Sequence, residues 1–175
     1  MPDLFTLSLS LLERTRIWKT KIITTKCFED FRGWLSVPLD KEIDFHVVQI
    51  NQGYSKKKFT LRGLHYQEGE YSQAKLISCL HGAIFNVAVD LRPGKTYGHA
   101  YSEVLTFENQ KQMYIPRGFA HGYLTLEDDT LMQWCVDNDF VQKQRELCGT
   151  IRISFGRMRA GQQGNTSFQR KIKMR

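Results

Sequence analysis

Two short motifs hold the residues whose types and spacing can do chemistry. In TLRGLHYQ, residues 60 to 67, an arginine, a glycine and a histidine interrupt what otherwise reads as a β-strand. In IPRGFAHGYL, Pro116, Gly118 and His121 stand at the spacing PxGxxH. Proline and glycine there form a tight turn that delivers His121 into the mouth of a small barrel. A neutral imidazole such as His65 is poised near neutral pH to take a proton from a carbon next to a carbonyl. The resulting enolate needs cationic or hydrogen-bonding groups at its oxygen, and Lys75 and His121 are suited to that. Asp90 is able to orient an imidazole or a lysine. Arg62, with Arg32 in FEDFRGWLS, suits a diphosphate, because a guanidinium grips phosphate oxygens in pairs.

A metal is the alternative use of two barrel histidines. The PxGxxH spacing is that of a double-stranded β-helix of the cupin type, and metal-binding cupins add a pair of histidines one residue apart plus a carboxylate. Here the pair position reads HYQ, so Gln67 stands where the second imidazole belongs. Glu68 and Glu70 remain as oxygen donors, but one imidazole is missing and metal binding is not expected. His46, His81 and His99 have no such frame, and Cys79 and Cys135 read as core or turn residues.

The elements that position these motifs are strands. KIITTKCF, FHVVQINQG, KKFTLRGLHYQ, AKLISCLHG, AIFNVAVDLRPGK, YSEVLTFE, KQMYIPRG, AHGYLTLED and DTLMQWCVDNDF are short β-rich runs. Turn signals separate them: Asn-Gln-Gly, His-Gly, Arg-Pro-Gly-Lys, Glu-Asn and Glu-Asp-Asp. Many short strands at this spacing predict an all-β fold, an antiparallel sandwich or barrel. Period-two alternation puts Phe85, Val87, Val89 and Leu91 on one face of their strand, and Ile84, Asn86, Ala88 and Asp90 on the other. The second face meets either solvent or a polar cavity. Gly63, His65 and Gln67 share a face, with Arg62 and Leu64 opposite, unless a bulge at Gly63 changes the parity.

Bulk properties set the class. A chain of 175 residues, 41% hydrophobic and 25% charged, is one soluble globular domain with a real core. The net charge of +7 is concentrated at one end: residues 141 to 175 hold nine Lys and Arg against Glu146 alone. The body is nearly neutral, so the charge describes a solvated tail and not a nucleic-acid surface. Four scattered cysteines without a CxxC point to reduced thiols in the cytoplasm. The apolar LFTLSLSLL follows Asp3 and lacks a basic cluster, unlike a signal peptide, and no run reaches membrane-spanning length. The expected organisation is an extension over 1–20, a β-domain over 21–146 and a basic tail over 147–175.

Together FRGW, VVQINQG, TLRGLHYQ, AKL, VAVDLRPGKTYG and LTFENQKQMYIPRGFAHGYLTLEDDT resemble the dTDP-4-dehydrorhamnose 3,5-epimerase (RmlC) family, from about residue 22 to residue 146. The resemblance implies a metal-free cupin jelly roll without a cofactor, a homodimer with strand exchange, and inversion of C3 and C5 in a nucleotide-linked 4-keto-6-deoxyhexose. It implies His65 as the base, Lys75 and His121 as contacts to the sugar and enolate, and Arg62 and Arg32 at the diphosphate, Arg32 from the partner subunit. Gln49 and Asn51 match substrate-contacting positions. Two departures accompany it. Counted from His121, the family's tyrosine acid falls on Trp134, whose indole N–H is far too weakly acidic for that work, while the base-stacking aromatic falls on Phe140. The family also draws an aspartate from the C-terminal segment to hold the catalytic histidine; residues 141 to 175 contain none, which leaves Asp90 as the substitute. A second reading follows from these departures, a sugar-nucleotide-binding homologue with impaired catalysis.

Overall fold

In the computed structural model the described residues are 19–39, 44–140 and 148–150. Residues 1–18 of the expected extension over 1–20 and most of the tail over 147–175 lie outside them.

Among the described residues twelve strands form: β1 (Lys21–Thr24), β2 (Lys26–Asp30), β3 (Gly33–Val37), β4 (Gln49–Ser55), β5 (Leu61–Gln67), β6 (Lys75–His81), β7 (Ala83–Asp90), β8 (Ala100–Thr106), β9 (Lys111–Ile115), β10 (Phe119–Thr125), β11 (Thr130–Val136) and β12 (Cys148–Thr150). They make two five-stranded sheets, ordered β1-β9-β6-β11-β4 and β12-β5-β10-β7-β8, and a separate β2-β3 hairpin. Every pairing is antiparallel. Two facing antiparallel sheets with their sequence neighbours split between them make the jelly roll that the strand pattern predicts. β12 adds a strand beyond residue 146, paired with β5 so that Thr150 lies opposite His65.

Alternation sorts the apolar residues into layers. Ile77 of β6, Ile84 and Ala88 of β7, Met113 of β9, Phe119 and Tyr123 of β10 and Met132 of β11 meet between the sheets. Residues one step along the same strands turn outward. Leu64, Val87, Val89 and Ala120 pack with Phe85 and Leu91 behind the second sheet. Ala74, Leu76 and Tyr114 do so behind the first. Each fully buried Ile, Leu, Met or Val in these layers contributes about 1.5–3 kcal/mol of transfer free energy. The Asn86 face of β7 is therefore the inner one, and Ile84, Asn86, Ala88 and Asp90 are all buried.

One turn signal proves to be strand. Asn51, Gln52 and Gly53 lie within β4, fully paired with β11 from Val136↔Gln49 to Thr130↔Ser55. Gly53 serves packing there: a Cβ on it would stand 3.1 Å from Trp134 Cζ3 and 3.3 Å from Tyr123 Oη.

Candidate active site

A cavity of about 810 Å³ opens between the sheets. That is the volume of a pocket for a nucleotide-sized ligand. One wall comes from β5 and β10 with Arg62, His65, His121 and Tyr123, and the other from β4, β6 and β11 with Gln49, Asn51, Lys75 and Trp134. Phe140 lies at its rim, 54% exposed.

Backbone geometry at Gly63 answers why a strand carries RGLH. β10 pairs His121 with His65 but Tyr123 with Arg62, so three residues of β5 span two of β10. This bulge brings Arg62 to the same cavity as His65, where strict alternation would have turned it away. Gly63 has φ +110, and a Cβ there would lie 2.6 Å from Gly122 Cα and 2.7 Å from the His121 carbonyl oxygen. Only glycine lets the two strands approach so closely.

His65 stands exposed on the open side of the cavity. Its partial burial and the Lys75 charge hold its pKa below the usual imidazole value, so it is neutral near pH 7 and able to accept a proton. His121 is buried, and burial, Lys75 and His65 push its pKa well below the usual value. Its Nε2 lies 2.8 Å from Asn86 Oδ1, while Asn86 Nδ2 donates to Met113 Sδ at 3.2 Å. With the Asn86 amide N–H so engaged, its oxygen is the acceptor and His121 Nε2 carries the proton. His121 Nδ1 is then a lone pair, suited to accept from a sugar hydroxyl. Lys75, a cation in the same cavity wall, stands at the start of β6.

Arg62 is anchored by Nε donating to Ser55 Oγ at 3.3 Å and Nη2 to the Tyr54 carbonyl at 3.2 Å. Gln49 Nε2 donates to Asn51 Oδ1 at 2.6 Å, so the two amides form one unit on β4. Gln67, at the position of a second metal-binding histidine, is buried and donates to the carbonyls of Tyr71 at 2.8 Å and Asp139 at 3.3 Å. Among the described residues no group of three His, Cys, Asp or Glu side chains converges as a metal site.

Two expected site residues lie elsewhere. Asp90 is not in the cavity wall and does not orient His65. Its carboxylate accepts Arg92 N and Nε, both at 2.9 Å, Arg92 Nη2 at 2.7 Å and Thr96 Oγ1 at 2.9 Å. Burial pushes this carboxyl up, and the Arg92 and Thr96 hydrogen bonds together bring it below its ordinary value. A loop that returns on itself after β7 claims the aspartate. Arg32 sits on the β2-β3 hairpin, paired with Asp30 at 2.6 Å, and is not part of its own chain's cavity. Conversely, Asn86, Gln73, Ser55 and Tyr123 belong to the site or its immediate support and were not among the expected residues. Asn86 carried a signal, since an amide alternating with aliphatic residues on a strand that proves buried requires a partner.

The family profile described as dTDP-4-dehydrorhamnose 3,5-epimerase matches residues 14–153. The chain belongs to the dTDP-4-dehydrorhamnose 3,5-epimerase family. It is an isomerase of the sugar-nucleotide epimerase class. The family's Escherichia coli K12 enzyme is 40% identical over 133 residues, 71% of either chain. A Bacillus anthracis dTDP-4-dehydrorhamnose 3,5-epimerase structure with TDP and PPi bound superposes with a TM-score of 0.71 at 31% identity, covering 76% of this chain and 78% of that one. A 3'-monoepimerase from Streptomyces bikiniensis in complex with dTDP-quinovose gives 0.68 at 25% identity, covering 75% and 69%. The family thus includes epimerases that act at two carbons and at one. Among the described residues no helix is long and apolar enough to cross a membrane.

Proposed function

We propose that this protein epimerises a dTDP-linked 4-keto-6-deoxyhexose at C3, C5 or both, without a metal or cofactor, in the cytoplasm. His65 removes the proton next to the C4 ketone, and the electron pair moves into an enolate whose oxygen faces the Lys75 ammonium. His121 accepts a hydrogen bond from the sugar through Nδ1. Arg62 holds the diphosphate, Gln49 and Asn51 contact the substrate, and Phe140 at the rim stacks on the base. The observation that carries this reading is that Arg62, His65 and Lys75 line one cavity, with His65 held neutral beside a cation.

The second copy of a homodimer completes the site. The β2-β3 hairpin leaves Phe28 at 62%, Phe31 at 98% and Leu35 at 64% exposure, and such an apolar patch marks an interface. Arg32 lies on that hairpin, so a partner's hairpin would supply an arginine to this cavity. Analytical ultracentrifugation of the purified protein should give a dimer mass; a monomer at micromolar concentration would remove Arg32 from the account.

The test of activity is incubation with dTDP-4-keto-6-deoxyglucose in deuterated water, read by NMR. Deuterium should enter C3 or C5. A binding-only homologue is the competing reading, favoured by Trp134 in the wall where an acid is needed. It requires dTDP to bind with no exchange at either carbon.

A further inference from the structure

Phe140 stands beyond Val136, the last residue of β11, on chain that has left the sheet. A ring on such a segment presents its face in many directions unless the backbone beneath it is fixed, and fixing it before the ligand arrives removes that ordering cost from binding. Here the backbone is held one carbonyl at a time. The Asp137 carbonyl accepts Arg117 Nη2 at 3.3 Å, the Asn138 carbonyl accepts Gln73 Nε2 at 2.8 Å, and the Asp139 carbonyl accepts Gln67 Nε2 at 3.3 Å. Three successive carbonyls are thus gripped by side chains from three separate parts of the chain.

The segment's own side chains complete the attachment. Asp137 Oδ1 accepts the Ala74 N–H at 2.7 Å and Oδ2 accepts Arg117 Nε at 2.9 Å. Asn138 Nδ2 donates to the Glu70 carbonyl at 2.7 Å, in the 3₁₀ turn Gly69–Tyr71, and Gln67 ties that turn to β5 through the Tyr71 carbonyl at 2.8 Å. Gln67 and Gln73 stand apart from the rest of this frame. Each is 8% exposed and each lines the cavity, yet each directs its amide N–H at backbone. Both hydrogens of the Gln67 amide are engaged by the Tyr71 and Asp139 carbonyls, so its nitrogen has none for a substrate. A polar group so placed in a cavity wall supports the residue that meets the ligand.

We infer that Gln67 and Gln73 are positioning residues for nucleotide recognition, holding the backbone of residues 138 and 139 so that Phe140 offers a fixed ring to the base. They act through Phe140 and on the base end of the ligand alone. The diphosphate end, at Arg62, is anchored separately through Ser55 and Tyr54. In this family member the position of a metal-binding cupin's second imidazole therefore serves the nucleotide and not the reacting sugar.

This inference rests on the proposed stacking role of Phe140, and a double-mutant cycle separates the two. Titration calorimetry measures the Kd of dTDP and of inorganic pyrophosphate for wild type, Phe140→Ala, Gln67→Met, Gln73→Met and each methionine variant combined with Phe140→Ala. Methionine keeps the length of glutamine and fills its site without an N–H donor. Loss of base stacking sets the ceiling, so Phe140→Ala should weaken dTDP roughly 5- to 150-fold and leave pyrophosphate unchanged. Gln67→Met and Gln73→Met should each weaken dTDP about 3- to 10-fold, the net worth of a hydrogen bond, again without effect on pyrophosphate. Neither should weaken dTDP further once Phe140 is alanine, because the residue they act through is gone. Asn138→Ala repeats the test from outside the cavity wall, with the same pattern expected, should a buried variant fail to fold. Unchanged dTDP affinity in the glutamine and Asn138 variants, equal losses for dTDP and pyrophosphate, or losses that add to that of Phe140→Ala would each overturn the assignment while the stacking role stands. If Phe140→Ala binds dTDP as wild type does, the stacking role fails and the assignment falls with it.

Discussion

Replacing Gly63 with alanine isolates the feature that lets one strand present both Arg62 and His65. Two costs add. The backbone stands at φ +110, where an L side chain is strained by about 1–3 kcal/mol. The new Cβ would also lie 2.6 Å from Gly122 Cα and 2.7 Å from the His121 carbonyl oxygen, both backbone atoms that yield only if the sheet moves. Overpacking of that kind costs about 1–3 kcal/mol more. The total of roughly 2–6 kcal/mol is a large share of a domain's stability. At about 2–4 °C per kcal/mol for a chain of this size, the melting temperature should fall by roughly 4–24 °C. Gly94 is the control, with φ +143 and nothing within 4 Å of an added Cβ, so Gly94→Ala has the strain alone. Differential scanning fluorimetry on both variants reads the difference. A Gly63→Ala melting temperature no lower than that of Gly94→Ala would refute the close-approach argument.

Three further outcomes follow. Asp90→Asn leaves Arg92 without its carboxylate, so stability should drop by about 1.5–3 kcal/mol in urea denaturation while kcat stays near wild type; a kcat loss of about 100-fold at unchanged stability would return Asp90 to the catalytic set. Activity requires neutral His65, whose pKa is lowered, so kcat/KM should have an acid limb centred below 6.5. An acid limb centred above 7 would contradict the environment described. His121 binds protons more weakly folded than unfolded, so its contribution to stability is present above pH 6.5 and is lost as pH falls toward its folded value; Asn86→Asp should raise that value by about 1–3 units in an NMR titration, and no rise would remove Asn86 from contact.

What was legible in the sequence was what depends on neighbours along the chain. β7 and β8 follow from alternation, and the turn at Gly118 follows from Pro116 and Gly118. The facing of Arg62 was not legible, because it depends on a register shift against β10 that is set sixty residues away. Alternation placed Asn86 and Asp90 on one face but did not say that the face is interior. The Asp90–Arg92 pair, by contrast, is local, and the i, i+2 spacing was open to view. Asn51-Gln52-Gly53 reads as a turn by composition, yet tertiary pairing with β11 overrides it. Tyr123 gave no linear signal, since its hydroxyl comes to rest at Gly53, where the second sheet faces the first.

Proton abstraction by His65 is the claim on which the site's interpretation stands. Its direct measurement is NMR of dTDP-4-keto-6-deoxyglucose in deuterated water with wild type and His65→Asn at equal, saturating concentrations. The account predicts deuterium at C3 or C5 with wild type and a rate about 10²- to 10⁴-fold lower with the variant. Equal deuterium entry from both proteins would contradict it.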